Sequence, residues 1–214
     1  LGYDCGKWKR MAVLTVQIDS LKGTRYKEKA GELLLFAISN MIGELIPREH
    51  RMLPVVVRSS IVAFLFDHLT TKEEFRSFVY STAKRIQDEV YQYLNLRVSI
   101  GISRTYDGVV GAHKACREAA DALKYRILFG QRTILHIDDV QANSATKAHY
   151  PKELERALLD AVKMADREKT ETLLDQFFRE LSGQYQNYSD YQIAVTRFFV
   201  NLIRILQDSG ISYP

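Results

Sequence analysis

The stretch VLTVQIDSLKG, residues 13–23, places an isolated aspartate, Asp19, after a mostly apolar run and follows it with a lysine, Lys22. A short apolar run of this kind is typical of a buried strand. An acid and a lysine at the end of such a strand are typical of an edge that binds phosphate or a metal ion. Two interpretations therefore stand: Asp19 serves a nucleotide site, or it is the remnant of one.

The composition is that of a soluble globular protein. The chain has 214 residues, of which 46% are hydrophobic and 26% charged, and its formal net charge is +4. Lysines and arginines are spread among acids, which favours a mixed, solvated surface over a nucleic-acid footprint. No apolar run reaches the ~18–20 residues that cross a membrane, so we expect a cytoplasmic chain without membrane contact. Its start has neither Met nor a signal-peptide core, and we expect an excised fragment.

The cysteines and histidines do not suggest a metal site. Cys5 and Cys116 lie far apart without a CxxC pattern, which favours free thiols. The histidines show no i, i+4 pair and no partner at metal-ligand spacing. We therefore expect no metal, no cofactor and no catalytic residue. Trp8 lies in a basic segment, and we interpret residues 1–10 as a lead-in or linker rather than a nucleic-acid contact.

Hydrophobic periodicity predicts an α/β (α+β) class for residues 11–140. Alternating or solid apolar runs predict five strands, at residues 11–18, 52–57, 61–66, 96–102 and 132–137. Runs with a period of 3.6 predict three helices, at residues 26–46, 70–94 and 109–129. The first helix should bury one apolar face, formed by Leu33, Leu34, Ala37, Ile38, Met41, Ile42 and Leu45. Thr70 or Thr71 should cap the second helix, since Glu73 or Glu74 can reach back.

Residues 141–214 read as a polar connector followed by a small all-α tail. Three helices are predicted, at residues 151–164, 167–181 and 189–208, the last with a capping box at residues 189–192. The last helix has a wide apolar face, which packs in a small bundle, forms a dimer contact or docks a neighbouring domain. The residues predicted for such an interface are Phe198, Phe199, Leu202, Ile203 and Leu206.

Three stretches, taken in order, resemble the diguanylate-cyclase-like (GGDEF-type) fold. Residues 13–23 are similar to the first strand of that family, VSIGIS at 98–103 to its penultimate strand, and ACREAADALKYRILFG at 115–130 to a helix that ends in a glycine turn. The chain most resembles the degenerate version of this domain, with its helical linker, in YesN-type AraC-family transcriptional regulators, without the DNA-binding domain. The resemblance implies a five-stranded, mostly antiparallel, ferredoxin- or cyclase-like sheet flanked by helices.

The resemblance also implies that the metal site of a cyclase is incomplete here. Cyclases of this family hold a divalent cation and the GTP triphosphate with two acidic groups, because a hard cation prefers carboxylate oxygens. The first metal-ligand position is Gln17, and a neutral amide is a poor substitute. Asp19 matches the second aspartate of the same motif, and Lys22 matches its lysine.

The hairpin of the family motif reads VRSSI, residues 57–61. Its two glycines and two acids are replaced, in order, by Val57, Arg58, Ser59 and Ser60. The asparagine that reads guanine falls near Arg25, and the phosphate-binding lysine falls near Leu128. No inhibitory Arg-x-x-Asp precedes the hairpin, since those positions read LPVV. The resemblance therefore implies that the chain is not an enzyme.

The leading hypothesis is a non-catalytic regulatory fragment, for signal relay or dimerisation, of a bacterial AraC-type transcription regulator in a two-component or sensor system. The implied partners are an upstream receiver or membrane sensor domain and a downstream helix-turn-helix domain of the same parent protein. DNA would be bound through that downstream domain alone, because this chain shows no helix-turn-helix pattern. A homodimer is the further expected partner.

Two alternatives remain open. In the first, the chain senses a nucleotide or anion in the relic cleft, where the end of the first strand meets the 57–61 hairpin. Its candidate ligand-binding residues are Asp19, Lys22, Arg25, Arg58, Ser59 and Ser60. If the cleft binds nothing, we expect Asp19 and Lys22 to form an exposed ion pair worth ~0–1 kcal/mol. The other alternative is an active cyclase with unusual residues.

Overall fold

The structure is a computed structural model of the chain. It describes residues 8–67, 71–142, 149–185 and 187–208, without the side chains of Glu28, Gln141, Ala142 and Asp208. The chain divides into two compact units, Leu1–Val140 and Gln141–Pro214. The first unit mixes strands and helices, whereas the described part of the second is helical. None of the helices in the described ranges combines the length and the apolar character that a membrane span requires.

Within the described residues of the first unit, six strands form one sheet. They are β1 (Arg10–Ile18), β2 (Val55–Val57), β3 (Ser60–Asp67), β4 (Val98–Ile102), β5 (Tyr106–Asp107) and β6 (Ile134–His136). Their order is β2-β3-β1-β4-β6, and β5 pairs with the start of β1. Every pair is antiparallel except β4 with β6. The predicted mostly antiparallel sheet is confirmed, and the sequence missed β5 because two residues show no periodicity.

Helices cover both faces of the sheet. They are α1 (Gly31–Leu45), α2 (Lys72–Leu94), α3 (Ala112–Lys124), α4 (Arg126–Phe129) and α5 (Ile137–Ala142). Side chains alternate along β1, so Leu14 and Val16 join α1 and α2 in the larger core, while Met11 and Val13 pack with α3. The sheet therefore separates a two-helix face from an α3 face.

Helix α3 lies very close to the sheet at Gly101 in β4. A Cβ atom at this position would lie 2.0 Å from the carbonyl oxygen of Ala119 and 2.9 Å from the amide nitrogen of Leu123. Only a residue without a side chain lets the helix backbone rest there. Ala119 is itself fully buried, so small residues on both elements permit the contact.

The ends of α1 and α2 test the predicted helix signals. Helix α1 begins at Gly31, after the short 3-10 turn Glu28–Ala30, and not at residue 26. Leu33 is 69% exposed although it was predicted to be buried, because the helix turns the 34/35/38/42 stripe toward the core. For α2 the predicted capping box is confirmed: Thr71 Oγ1 accepts the Glu74 N–H at 3.2 Å, and Glu74 Oε2 accepts the Thr71 N–H at 2.7 Å.

Trp8 is part of the core, which corrects its interpretation as a lead-in residue. It is 7% exposed, and its ring stacks on Phe66 with centroids 3.8 Å apart. The indole N–H donates to the carbonyl oxygen of Glu49 at 3.2 Å. A single aromatic residue before a strand carries no periodicity, so its burial was not predictable from the pattern.

The second unit contains α6 (Lys152–Lys163), α7 (Arg167–Gln184) and α8 (Tyr188–Asp208), close to the three predicted helices. The predicted capping box at residues 189–192 is wrong. Because α8 already begins at Tyr188, the cap is Asn187, two residues before the predicted Ser189, and its Oδ1 accepts the Ser189 N–H at 2.8 Å. The first two residues of the predicted polar connector, Gln141 and Ala142, form the end of α5 instead.

The five predicted interface residues on α8 have different environments. Phe198 is 2% exposed and lies 4.8 Å, centroid to centroid, from Phe177 of α7, so it belongs to the core of the helical unit. Phe199 and Ile203 are nearly half exposed. The remaining two, Leu202 and Leu206, are intermediate. Within this set, therefore, Phe199 and Ile203 are the large apolar side chains most open to a partner.

Candidate functional site

Asp19 lies just beyond the end of β1 and is held inside the first unit. Its Oδ1 accepts the hydroxyl of Ser99 at 2.6 Å, and its Oδ2 accepts the backbone N–H of Arg132 at 2.8 Å. The Arg126 guanidinium lies 3.5 Å from Oδ1, and the Asp19 side chain is only 2% exposed. The exposed pair with Lys22 that was expected for an empty cleft is therefore replaced by a pair between the buried Asp19 carboxylate and Arg126, whose side chain is 29% exposed.

All three partners of Asp19 named above come from parts of the chain that the sequence did not connect with it. Ser99 is fully buried in β4, where a polar residue between apolar neighbours was the available signal. Arg126 belongs to α4, and Arg132 follows the glycine turn with φ of 58°. The Arg132 side chain turns outward to Asp88, with Nη2 and Oδ1 3.0 Å apart. Such contacts form between segments that are distant in the chain, so they produce no motif of fixed spacing in the sequence.

Asp19 contacts β4 on one side of β1, whereas Gln17 contacts the β2–β3 hairpin on the other side. It pairs with Ser60 in the β1–β3 register, and its Nε2 donates to Ser59 Oγ at 3.1 Å. Arg58 at the hairpin tip has φ of 54°, the left-handed region where the family motif uses glycine. The predicted meeting of strand end and hairpin is therefore present at Gln17, while Asp19 turns away from the hairpin.

The described residues form two separate grooves at this edge, and four of the six predicted ligand-binding residues line one or the other. The Lys22 groove has a volume of 440 Å³, and its lining includes Ser20, Lys22, Tyr91, Asn95, Arg97 and Gln131. The Arg58 groove has a volume of 880 Å³, and its lining includes Thr15, Arg58, Ser59, Ser60, Cys116 and Arg117. Asp19 lines neither groove. Arg25 also lines neither, because it donates to Tyr26 Oη at 2.8 Å and lies over that ring.

The Lys22 groove is polar and positively charged. Lys22 and Arg97 line it, and its described lining contains no acidic residue. Tyr91, Asn95 and Arg97 were not predicted as site residues; Tyr91 lies near the end of α2, and the other two lie in the short link from α2 to β4. The groove can therefore attract a small anion through charge and hydrogen bonds.

The side chains near the grooves were also compared with those of a reactive nucleophile and of a metal site. Burial raises the pKa of the Cys116 thiol, so it is a weaker nucleophile than a free cysteine. The described residues contain no group of three or more His, Cys, Asp or Glu side chains that could hold a metal ion. Cys5 and His68, which were considered as possible metal ligands in the sequence analysis, lie outside the described residues.

The chain is similar to several known proteins. It is 36% identical over 204 residues to a Bacillus subtilis (strain 168) protein named uncharacterized HTH-type transcriptional regulator YtdP; the match covers 95% of this chain but 26% of that relative. Among solved structures, it resembles the active GGEEF domain of a Vibrio cholerae diguanylate cyclase, with 15% identity and a TM-score of 0.45 over 60% of this chain and 83% of that one. An EAL/GGDEF domain protein from M. capsulatus gives 16% identity and a TM-score of 0.46, over 60% and 85% of the two chains.

The family assignment comes from the sequence itself. The pattern that defines the GGDEF-like domain matches residues 1–125, which is more than half of the chain. That range contains β1, the β2–β3 hairpin and α3, the elements that line the Arg58 groove. The chain belongs to the GGDEF-like domain family.

Proposed function

We propose that the chain is a non-catalytic regulatory module that relays a signal, and supports dimerisation, within a larger transcription regulator. The observation that carries this proposal is the condition of the two motif positions on β1. Gln17 is a neutral amide engaged with Ser59, and both carboxylate oxygens of Asp19 are engaged by Ser99 and Arg132. A divalent cation with a triphosphate requires carboxylate oxygens directed at it, and neither position offers one.

The parent protein in this proposal is an AraC-type regulator and response regulator, and this part of it lies in the cytoplasm. The relative named as an HTH-type transcriptional regulator supports it, because the chain matches 95% of its own length to 26% of that protein. The remaining length of such a parent accommodates an upstream receiver or membrane sensor domain and a downstream helix-turn-helix domain. DNA is then contacted by that downstream domain and not by this module.

The edge around Asp19 is the element through which we propose the relay acts. Asp19 ties the end of β1 to Ser99 in β4 and to Arg132, the residue from which the chain continues through β6 into α5. A relay requires two states with different contacts. Making or breaking the Asp19 contacts would alter the path of the chain where the first unit ends.

The proposal can be tested in the full-length regulator with a transcriptional reporter. We expect Asp19→Asn to change reporter output at least threefold at a matched level of soluble protein, because it weakens the contact with Arg132. The control is Asp88→Asn, which removes the exposed partner of the same arginine and should leave output within 1.5-fold. Equal output from wild type and Asp19→Asn at matched protein level would contradict the relay.

The homodimer contact belongs to the same proposal and lies on α8. Phe199 and Ile203 expose apolar surface there, 49% and 46% respectively. We expect Phe199→Ser with Ile203→Ser to shift sedimentation of the chain toward the monomer. Met164→Ser, which removes a 78% exposed apolar side chain outside α8, is the matched control. A wild-type chain that sediments as a monomer at all concentrations would contradict the contact.

A second function, sensing of a nucleotide or anion, is favoured by the charge of the Lys22 groove. A ligand bound by the folded state alone raises the midpoint of thermal unfolding by mass action. We expect any shift with GTP, GDP or a cyclic dinucleotide to disappear in Lys22→Ala with Arg97→Ala. Arg85→Ala, which removes an exposed arginine of α2 outside this groove, is the control. No shift with any of these compounds would contradict the sensing function and leave the relay as proposed.

A further inference from the structure

The Arg58 groove lies on the α3 face of the sheet. Helix α3 packs on β1 and β4. Because β3 and β2 follow β1 at that side of the sheet, they lie beside the helix and not under it. Cys116 and Arg117 of α3 form one wall, and the β2–β3 hairpin forms the other. Its volume of 880 Å³ is within the ~300–1,000 Å³ that small-molecule sites occupy.

The floor and the hairpin wall of this groove are mainly apolar. Val62 and Phe64 of β3 are partly buried there, and Val55 and Val57 of β2 are about half exposed. Burial of such surface is favourable and roughly proportional to the area removed from water. An occupant with a hydrocarbon body therefore fits this groove better than the polar Lys22 groove.

The charged side chains of the groove have one sign. Arg58 and Arg117 line it, and its described lining contains no acidic residue. The imidazole of His113 also lines the groove, on the α3 wall. A guanidinium pairs bidentately with a carboxylate, which favours an anionic head group. Several charges on one ligand are disfavoured, because each would have to be desolvated against the apolar floor.

Thr15 adds an unsatisfied polar atom to the same place. It lies on β1, is 3% exposed and lines the groove, and its hydroxyl has no hydrogen-bond partner among the described residues. Buried hydroxyls in folded proteins are normally paired. A ligand oxygen at the floor of the groove is one means of satisfying it.

We propose that the Arg58 groove binds a small organic monocarboxylate with a hydrocarbon body, held by Arg58 and Arg117 at the mouth and by Val62 and Phe64 at the floor. This site goes beyond the regulatory role. It includes the four hairpin positions of the family motif, Val57 to Ser60, but the two motif positions on the first strand, Gln17 and Asp19, do not line it. Its occupancy does not depend on whether the module relays a signal.

The test uses the whole chain and decanoate below its micelle concentration. Cys116 lies in the groove wall, so bound ligand should slow its reaction with a maleimide, measured by mass spectrometry of the Cys116 peptide. We expect saturating decanoate to slow this labelling at least fivefold, whereas decanol and decylamine change it less than twofold. Equal protection by decanol would overturn the carboxylate assignment, and no protection by decanoate would overturn the site.

Variants of the two arginines show whether the charges act. Arg58→Gln with Arg117→Gln should raise the Kd for decanoate at least tenfold by isothermal titration calorimetry. Arg85→Gln, on the exposed side of α2, should leave it within twofold. Thermal unfolding of each variant checks the fold. An unchanged Kd in the double variant would overturn the proposal, and so would protection of Cys116 that rises with protein concentration without ligand, since a second copy would then cover the groove.

Discussion

Asp19 Oδ2 accepts the backbone N–H of Arg132 at 2.8 Å, a contact between residues 113 positions apart in the chain. It joins the end of β1 to the segment that leads into β6. The Asp19 side chain is 2% exposed, whereas Arg132 lies at the surface. An acid that the family motif places beside a nucleotide is here a structural residue of the sheet edge.

Replacement of Asp19 should therefore destabilise the first unit. We expect Asp19→Asn to lower the free energy of unfolding by about 2–3 kcal/mol, because charge-assisted hydrogen bonds to Ser99 and Arg132 are weakened in a buried place. Asp88→Asn should change it by less than about 0.5 kcal/mol, since Asp88 is 48% exposed. Urea unfolding followed by circular dichroism measures both. Equal effects of the two variants would contradict the structural role of Asp19.

The contact between Gly101 and α3 predicts a large effect from a single methyl group. Gly101→Ala should cost about 3 kcal/mol or more, because the new Cβ would meet the Ala119 carbonyl oxygen at 2.0 Å and backbone cannot move aside cheaply. Gly43→Ala in α1 is the control, since its Cβ would have nothing nearer than 3.8 Å. That variant should gain about 0.5–1 kcal/mol from helix propensity. Thermal unfolding of the pair decides, and a Gly101→Ala chain as stable as wild type would refute the close packing.

Two buried hydroxyls should respond to removal in opposite directions. Thr15 Oγ1 has no partner among the described residues, so Thr15→Val should raise the free energy of unfolding by about 1 kcal/mol. Ser99 donates to Asp19 at 2.6 Å, so Ser99→Ala should lower it by about 1–3 kcal/mol. Denaturant titrations of the two variants without added ligand give both values. A loss of stability in Thr15→Val would show that its hydroxyl is satisfied in solution.

The buried His136 gives a prediction about pH. It is 6% exposed, and burial lowers its pKa below the ordinary 6.5, although Asp138 and Asp139 oppose this. In the unfolded chain the imidazole takes up a proton near pH 6.5, whereas the folded chain keeps it neutral. Its contribution to stability is therefore complete above pH 6.5 and is lost as the pH falls below that value toward the folded pKa.

His136→Asn separates this effect from other titrations. An asparagine oxygen can still accept the Asp138 N–H, which His136 Nδ1 accepts at 3.2 Å, but it does not titrate. We expect the free energy of unfolding of wild type to fall more steeply between pH 7 and pH 5 than that of the variant. Parallel pH profiles for the two proteins would show that His136 does not contribute.

Much of the fold could be predicted from local sequence patterns. The apolar run before Asp19 becomes β1, the Thr71 and Glu74 pair caps α2, and Gly130 follows α4. These features depend on nearest neighbours along the chain, so periodicity and capping rules find them. Leu33 shows the limit, since which stripe of α1 faces the core depends on how the helix docks on the sheet.

The candidate site was less predictable, for a physical reason. The motif predicted that the end of the first strand meets the hairpin, and Gln17 contacts Ser59 there, because adjacent strands and a tight turn fix that proximity. It did not reveal Arg126 or Arg132 as partners of Asp19, nor that Lys22 and Arg58 line different grooves. Those relationships arise from the packing of distant segments, and a sequence motif does not encode the direction of a side chain.

The most direct test of the non-catalytic assignment is to incubate the chain with GTP and Mg²⁺ or Mn²⁺ and to measure cyclic dinucleotide by mass spectrometry, with an active diguanylate cyclase as positive control. Asp19→Asn is assayed beside the wild type. We expect no cyclic dinucleotide above the protein-free control from either chain. Product from the wild type that Asp19→Asn fails to form would contradict it, because Asp19 would then act in catalysis.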